Sequence, residues 1–334
     1  MNEYMPETCH EVILREMRPA LSYHRPGLDY EAWRKEVGVT LRRLLGDMPQ
    51  KSLLNLRIEW ERERETCTEI RFSFDAEQNC RVPCHLLVPR LGKKRYPVII
   101  CLQGHSMGMH VSLGVEKYPD DSVELETDCF APQIIAQGYA ALVMEQRGFG
   151  ERATDKTQER NRRCNHPAMT ALLIGRTLLG ERVYDVMRAI DALEQFSQID
   201  GDKIGCLGNS GGGTVTYYAA CLDERIKIAM PSCSVCTFSD SIGTIQHCVC
   251  NYIPGIAKYF DMGDLACLIA PRPLLVAAGD KDHIFPIDGV KKAFAVIEKI
   301  YEQAGCKQNC RLVIGNGGHR FYPAWDDFRE LADW

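Results

Sequence analysis

The sequence predicts an α/β fold in which a mostly parallel central sheet is covered by helices on both faces and entered through an antiparallel hairpin. Three observations carry this expectation. From about residue 96, short apolar runs alternate with segments of helical periodicity, as in a parallel sheet buried under helices. Upstream, residues 68–74 and 81–88 alternate apolar and polar positions around a polar turn at 75–79, the mark of a hairpin. Of the 334 residues, 45% are hydrophobic and 25% charged, enough apolar material for one large core.

Residues 1–55 read as a helical N-terminal extension, with apolar residues at helical spacing over 30–45 and Pro49 marking an end. The α/β domain spans 56–334. After the hairpin, six strands of parallel type are expected at 97–102, 140–144, 203–207, 226–230, 273–278 and 310–314. Helices are expected at about 128–137, 184–196, from Gly211 onward, and at 290–304. Stretches at about 107–126, 149–179 and 232–265 do not fit the alternation and are read as insertions. Loops of that length usually shape a site, and in a doubly wound sheet they gather at the carboxyl ends of the strands. No repeat or heptad pattern is present.

The net charge of −5 is small and dispersed, so nothing favours nucleic acid as a partner. No apolar run approaches the roughly 18–20 residues of a membrane span. Glu3, Glu7 and Glu11 stand where a secretory signal would need a basic start and an apolar stretch, so a cytoplasmic location is expected. Most of the sixteen cysteines, such as Cys101, Cys206 and Cys221, lie in apolar segments and read as small hydrophobes. Cys233-x-x-Cys236 and His247-Cys248-x-Cys250 have spacings that zinc could use. Without a second Cys-x-x-Cys, neither a metal nor another cofactor is expected.

The most informative segment is Gly208-Asn209-Ser210-Gly211-Gly212, which joins a buried strand directly to a helix. A serine at so sharp a turn adopts a strained backbone, and glycines two residues to either side remove colliding side chains. The helix N-terminus at Gly211 offers unpaired N–H groups to an oxyanion beside Ser210. Lysine next to the Ser/Thr of a phosphate loop, and the spacing of a dinucleotide fingerprint, are both missing. A serine nucleophile needs a base and usually an orienting acid, in the chain order Ser, Asp or Glu, His. Asp282 and His319 meet that order, each just past a predicted strand. Asp280 competes with Asp282 but is closer to its strand, where it could stabilise the loop. His283 competes with His319 but adjoins the acid and cannot easily face both it and Ser210. A second oxyanion N–H is expected from His105 in Leu102-Gln103-Gly104-His105, whose side chain either lines the pocket or has no chemical role. Arg147, in the loop 145–150, reads as a structural brace for a carboxylate.

Together with residues 184–191, 199–205, 145–150, Pro271-Arg272-Pro273 and Gly318-His319, the Gly208–Gly212 motif resembles the acetyl xylan esterase and dienelactone-hydrolase-like branch of the α/β-hydrolases. The similarity covers about residues 95–322. It implies the α/β-hydrolase fold and cofactor-free hydrolysis of carboxylic esters, often acetyl groups on sugars. Ser210 stands where true dienelactone hydrolases have cysteine, and Gln103 departs from the His-Gly pair common in the oxyanion loop. The expected activity is therefore a serine esterase working through an acyl-enzyme on a small-molecule or carbohydrate ester. A peptidase of the same fold, or a disarmed binding protein on this scaffold, are the alternatives. A homo-oligomer is compatible with the sequence.

Overall fold

The computed structural model describes residues 4–119, 121–153 and 163–334, the side chain of residue 124 excepted. Helices α1 (Pro6–Glu16) and α2 (Tyr30–Leu44) precede strands β1 (Arg57–Glu63), β2 (Cys67–Glu77) and β3 (Cys80–Pro89). Next come β4 (Tyr96–Leu102), α3 (Asp121–Leu125), α4 (Phe130–Ala136) and β5 (Ala140–Met144). These lead to α5 (Asn165–Leu173), α6 (Leu178–Leu193), β6 (Ile199–Asn209), α7 (Gly211–Leu222) and β7 (Ile226–Ser232). Last are β8 (Leu274–Gly279), α8 (Ile287–Gln303), β9 (Cys310–Gly315) and α9 (Trp325–Ala332). Of the expected insertions, the first includes residue 120 and the second residues 154–162, which lie outside the described residues.

The nine strands form one sheet in the order β1-β2-β3-β5-β4-β6-β7-β8-β9. β1 to β3 pair antiparallel, as do β3 and β5, and every later pairing is parallel. The six parallel strands and the hairpin therefore stand as the sequence predicts. β4 has β5 on one side and β6 on the other, so the loops leaving β4 and β6 diverge and open a crevice at their carboxyl ends.

Strand periodicity explains the two-faced core. Val98, Ile100 and Leu102 of β4 join one apolar cluster with α2, α6, α7 and α8, whereas Ile99 and Cys101 point the other way, towards α4 and α9. The α2 residues Trp33, Val37 and Leu41 recur every four positions and are fully buried, so this helix belongs to the main core. Asp29 caps it by accepting from Ala32 N at 3.1 Å. Residues 46–55 contain no helix. The Pro271-Arg272-Pro273 motif has a structural role: the Arg272 guanidinium donates to the carbonyls of Ala220, Asp223, Ile226 and Leu268, closing the C-terminus of α7.

β1 was not foreseen because all seven of its residues are exposed and no apolar alternation marks it. It is a charged edge strand, a form that discourages pairing with other chains. Behind it, the fully buried Glu69 carboxylate accepts from Arg62 Nε at 2.8 Å and Arg64 Nε at 2.5 Å, and lies 2.6 Å from His85 Nδ1. Burial raises its pKa, but these partners outweigh burial and hold it at about 2. A carboxylate depressed in this way stabilises the fold fully above its unfolded value near 4.3 and loses that contribution as pH falls towards 2. We expect roughly 2 kcal/mol of stability to disappear over that window, tempered because both arginines are partly exposed. Melting temperatures from pH 6 to 3 should therefore fall more steeply in the wild type than in Glu69→Gln, which starts lower. Parallel curves would refute this.

Candidate active site

β6 delivers Ser210 to the crevice and α7 begins at the next residue, so the chain reverses in one step. Ser210 has φ 53° and ψ −121°, a left-handed conformation that costs a non-glycine residue about 1–3 kcal/mol. Its N–H donates to Ser232 O at 2.9 Å, and its carbonyl accepts from Thr214 N at 2.9 Å, so the neighbouring strand and the first helical turn hold it there. The flanking glycines are sterically required. A Cβ on Gly212 would lie 1.9 Å from Leu102 O, and one on Gly208 2.4 Å from the Gly212 carbonyl carbon.

The loop after β4 lies directly against this turn. A Cβ on Gly104 would sit 3.3 Å from Ser210 Cβ, and one on Gly211 only 2.6 Å from the His105 ring. Among the described residues, the backbone N–H groups of Gly211 and His105 donate to no protein acceptor. Gln103 is fully buried behind the loop. Its amide donates to Glu145 Oε1 at 2.8 Å, and its carbonyl accepts from Gln146 Nε2 at 2.7 Å. Glu145 also accepts from Met109 N and Glu151 N, tying both loops together. Burial pushes its carboxyl up to about 7 against those hydrogen bonds. Gln103 thus braces the loop after β4 from outside the cavity.

The loops after β8 and β9 bring the other pair together. His319 Nδ1 is 2.8 Å from Asp282 Oδ2, while Asp282 Oδ1 accepts from Ile284 N at 2.8 Å and Phe285 N at 3.0 Å. Asp282 is 5% exposed. Burial raises its pKa, yet the hydrogen bond and charge of His319 and the two backbone N–H groups hold it below the usual carboxylate range. The Phe285 ring stacks on His319 at 5.8 Å, fixing the imidazole plane. Asp280 has the loop role open to it: its Oδ1 accepts from Gly317 N at 2.7 Å. His283 is exposed and off the cavity wall. Arg147 is a brace, paired with Asp185, Glu77 and Glu181.

Ser210, His319, Gly104 and His105 line one cavity of about 860 Å³. Sequence reasoning did not place two groups on its wall, Asp128 and His247. Asp128, expected only at a helix start, is buried beside the elbow and accepts from Asn209 Nδ2 at 3.1 Å. Burial pushes its pKa up against the Asn209 hydrogen bond. His247 lies against Phe285 with centroids 5.0 Å apart, and burial lowers its pKa to about 4, so it is neutral at pH 7. His247 drew notice only for its spacing to Cys248 and Cys250, and Asp128 carries no signal; both reach the cavity only through folding.

The sheet, the serine turn at the end of β6, and the acid and histidine after β8 and β9 define an α/β-hydrolase. The chain belongs to the Abhydrolase family, whose model matches residues 7–311. It is 30% identical over 283 residues to a Bacillus subtilis (strain 168) protein designated hydrolase YtaP, covering 83% of this chain and 91% of that one. A structure from Bacteroides fragilis NCTC 9343 described as an acetyl xylan esterase superposes with a TM-score of 0.79 at 17% identity, covering 99% of this chain and 89% of the other. A glucuronoyl esterase from Solibacter usitatus gives a TM-score of 0.70 at 18% identity, covering 96% and 99%. At these identities the structural likeness is one of fold. Among the described residues, no helix is long and apolar enough to cross a membrane.

Proposed function

We propose that the protein is a serine carboxylic-ester hydrolase that removes small acyl groups, acetyl above all, from sugars or similar polar alcohols. The observation that carries the reading is the 2.8 Å contact between His319 and buried Asp282, on the wall of the cavity that also holds the strained Ser210. Asp282 accepting from Nδ1–H leaves Nε2 as the basic nitrogen. Ser210 Oγ attacks the ester carbonyl as His319 Nε2 takes its proton, and the oxyanion is received by the Gly211 and His105 N–H groups. Collapse expels the alcohol, which leaves with the proton from His319. Water, deprotonated by the same nitrogen, then attacks the acyl-enzyme and returns Ser210 with a free carboxylic acid.

The cavity supports a polar alcohol. A volume near 860 Å³ accommodates a mono- or disaccharide ester, and the wall is rich in hydrogen-bonding side chains, including Thr127, Asp128, Asn165, Gln246, Asn251 and Arg320. Ligand pockets are more often predominantly apolar, so this lining favours a hydroxylated alcohol over a lipid. The likeness of fold to carbohydrate esterases supports the same choice. A panel of acetylated sugars, acyl-chain-extended aryl esters and aminoacyl amides tests it. Highest kcat/KM is expected on acetylated sugars, with rates falling as the acyl chain lengthens. Preference for aminoacyl amides would establish the peptidase alternative instead.

A further inference from the structure

Cys164 and the pair Cys248 and Cys250, distant from each other in sequence, meet at His105 in the loop that follows β4. Cys248 is the N-cap of the short helical turn Val249–Asn251 and Cys250 lies within it, Cys164 is the N-cap of α5, and His105 follows β4. The Sγ atoms of Cys164, Cys248 and Cys250 and a ring nitrogen of His105 all lie within 4.8 Å of one another. His105 Nε2 is 3.1 Å from Cys250 Sγ, which is 3.4 Å from Cys248 Sγ. Cys164 and Cys250 are buried, and Cys248 is half-buried.

A second observation concerns charge. Arg182 is 2% exposed and donates to Cys164 Sγ at 3.1 Å, Cys250 Sγ at 3.2 Å and the Arg147 carbonyl. Its guanidinium also lies over the Phe149 ring at 4.4 Å. Among the described residues no carboxylate reaches it, although a buried guanidinium remains charged and requires a counter-charge. The sulfurs of Cys164 and Cys250 are the groups placed to supply one. A divalent ion held by three thiolates and a neutral imidazole carries one net negative charge, which balances Arg182.

We propose that Cys164, Cys248, Cys250 and Nε2 of His105 bind one zinc ion as a closed structural site. Thiolate sulfur with one imidazole is a zinc donor set, and four protein ligands leave no position for water or substrate. Zinc–sulfur bonds of about 2.3 Å in a tetrahedron put the sulfurs about 3.8 Å apart, so the 3.4 Å separation needs to open only slightly. Binding displaces three thiol protons to solvent and involves no redox step. Arg182 then serves as an outer hydrogen-bond donor to two of the sulfurs. The ion ties the His105 loop to the 232–265 insertion and to α5, holding in place the segment that carries one oxyanion N–H. Metal binding is independent of the proposed hydrolysis, whereas an effect on turnover rests on that reading.

The test is metal content of the full chain, purified without chelator from zinc-replete cells, with a cobalt-substituted sample examined by absorption spectroscopy. About one zinc per chain is expected, together with intense thiolate-to-cobalt charge-transfer bands. Both should be lost in Cys250→Ser and in the milder Cys248→Ser, with folding checked by circular dichroism, and kept in Cys9→Ser at an exposed thiol. Stoichiometric zinc without ester hydrolysis would sink the proposed function and leave the site standing. A folded zinc-free chain in which Cys250 alkylates readily or forms a disulfide with Cys164 or Cys248 would overturn the site, as would zinc retained in both serine variants.

Discussion

Ser210→Ala is expected to lower kcat for ester hydrolysis by about 10⁶-fold, the scale found when the nucleophile is removed from other serine triads. In the proposed mechanism Ser210 Oγ is the only atom that forms the acyl-enzyme, so neither His319 nor the oxyanion N–H groups can compensate. The fold should survive. Alanine keeps the Cβ and the strained φ of 53°, and the N–H donation to Ser232 O involves no side-chain atom. Hydrolysis of p-nitrophenyl acetate and labelling by a fluorophosphonate read the effect directly. Labelling at another serine, or activity that persists in Ser210→Ala, would remove Ser210 from the mechanism. Ser210→Gly offers a companion measurement: it should be equally inactive yet relieve the backbone strain, raising the melting temperature above that of the alanine variant.

Asp282→Asn is expected to cost about 10⁴-fold in kcat with little change in KM. The reason is tautomeric. In the proposed mechanism aspartate accepts from His319 Nδ1–H, which leaves Nε2 free to act as base. An asparagine amide turned towards the ring would donate to Nδ1 and leave the proton on Nε2, where it cannot act as base towards Ser210. Ile284 N and Phe285 N can still donate to the asparagine oxygen in place of Asp282 Oδ1, so the turn persists. Because Asp282 is held below the usual carboxylate range, it is ionised throughout neutral pH. The aspartate also stabilises the fold above its unfolded pKa, a contribution lost only as pH falls through its lower folded value. The variant should therefore lose rate at every pH between 6 and 8. An Asp282→Asn enzyme with wild-type kcat would transfer the orienting role elsewhere, and Asp128 would be the first residue to examine.

How far the sequence reached differs between elements for identifiable reasons. β4 and β5 were legible because they are buried on both faces and read as continuous apolar runs bounded by turns. β1 was not, since its partner β2 supplies the pairing while its own side chains face water. Helix α9 was also missed: only Phe328 of its eight residues is fully buried, and its periodicity is short. Gln103, a departure from the expected pattern, is accounted for by Glu145 and Gln146, two residues that the sequence places 42 and 43 positions away.

By itself, the sequence determined the hairpin and the six parallel strands, the turn at Ser210 and the order in which acid and histidine follow. Each of these depends on forces acting within a few residues: side-chain periodicity, backbone strain and the room that glycine leaves. Tertiary structure alone decided what faces what. The Asp282 carboxylate against His319, Asp128 beneath Asn209, and the Cys164 and Cys250 thiols against Arg182 arise from segments far apart in the chain, brought together because β4 to β9 run parallel and present their carboxyl ends at one edge of the sheet. Local chemistry is written along the chain, while electrostatic partnership depends on distances that exist only after the core has closed.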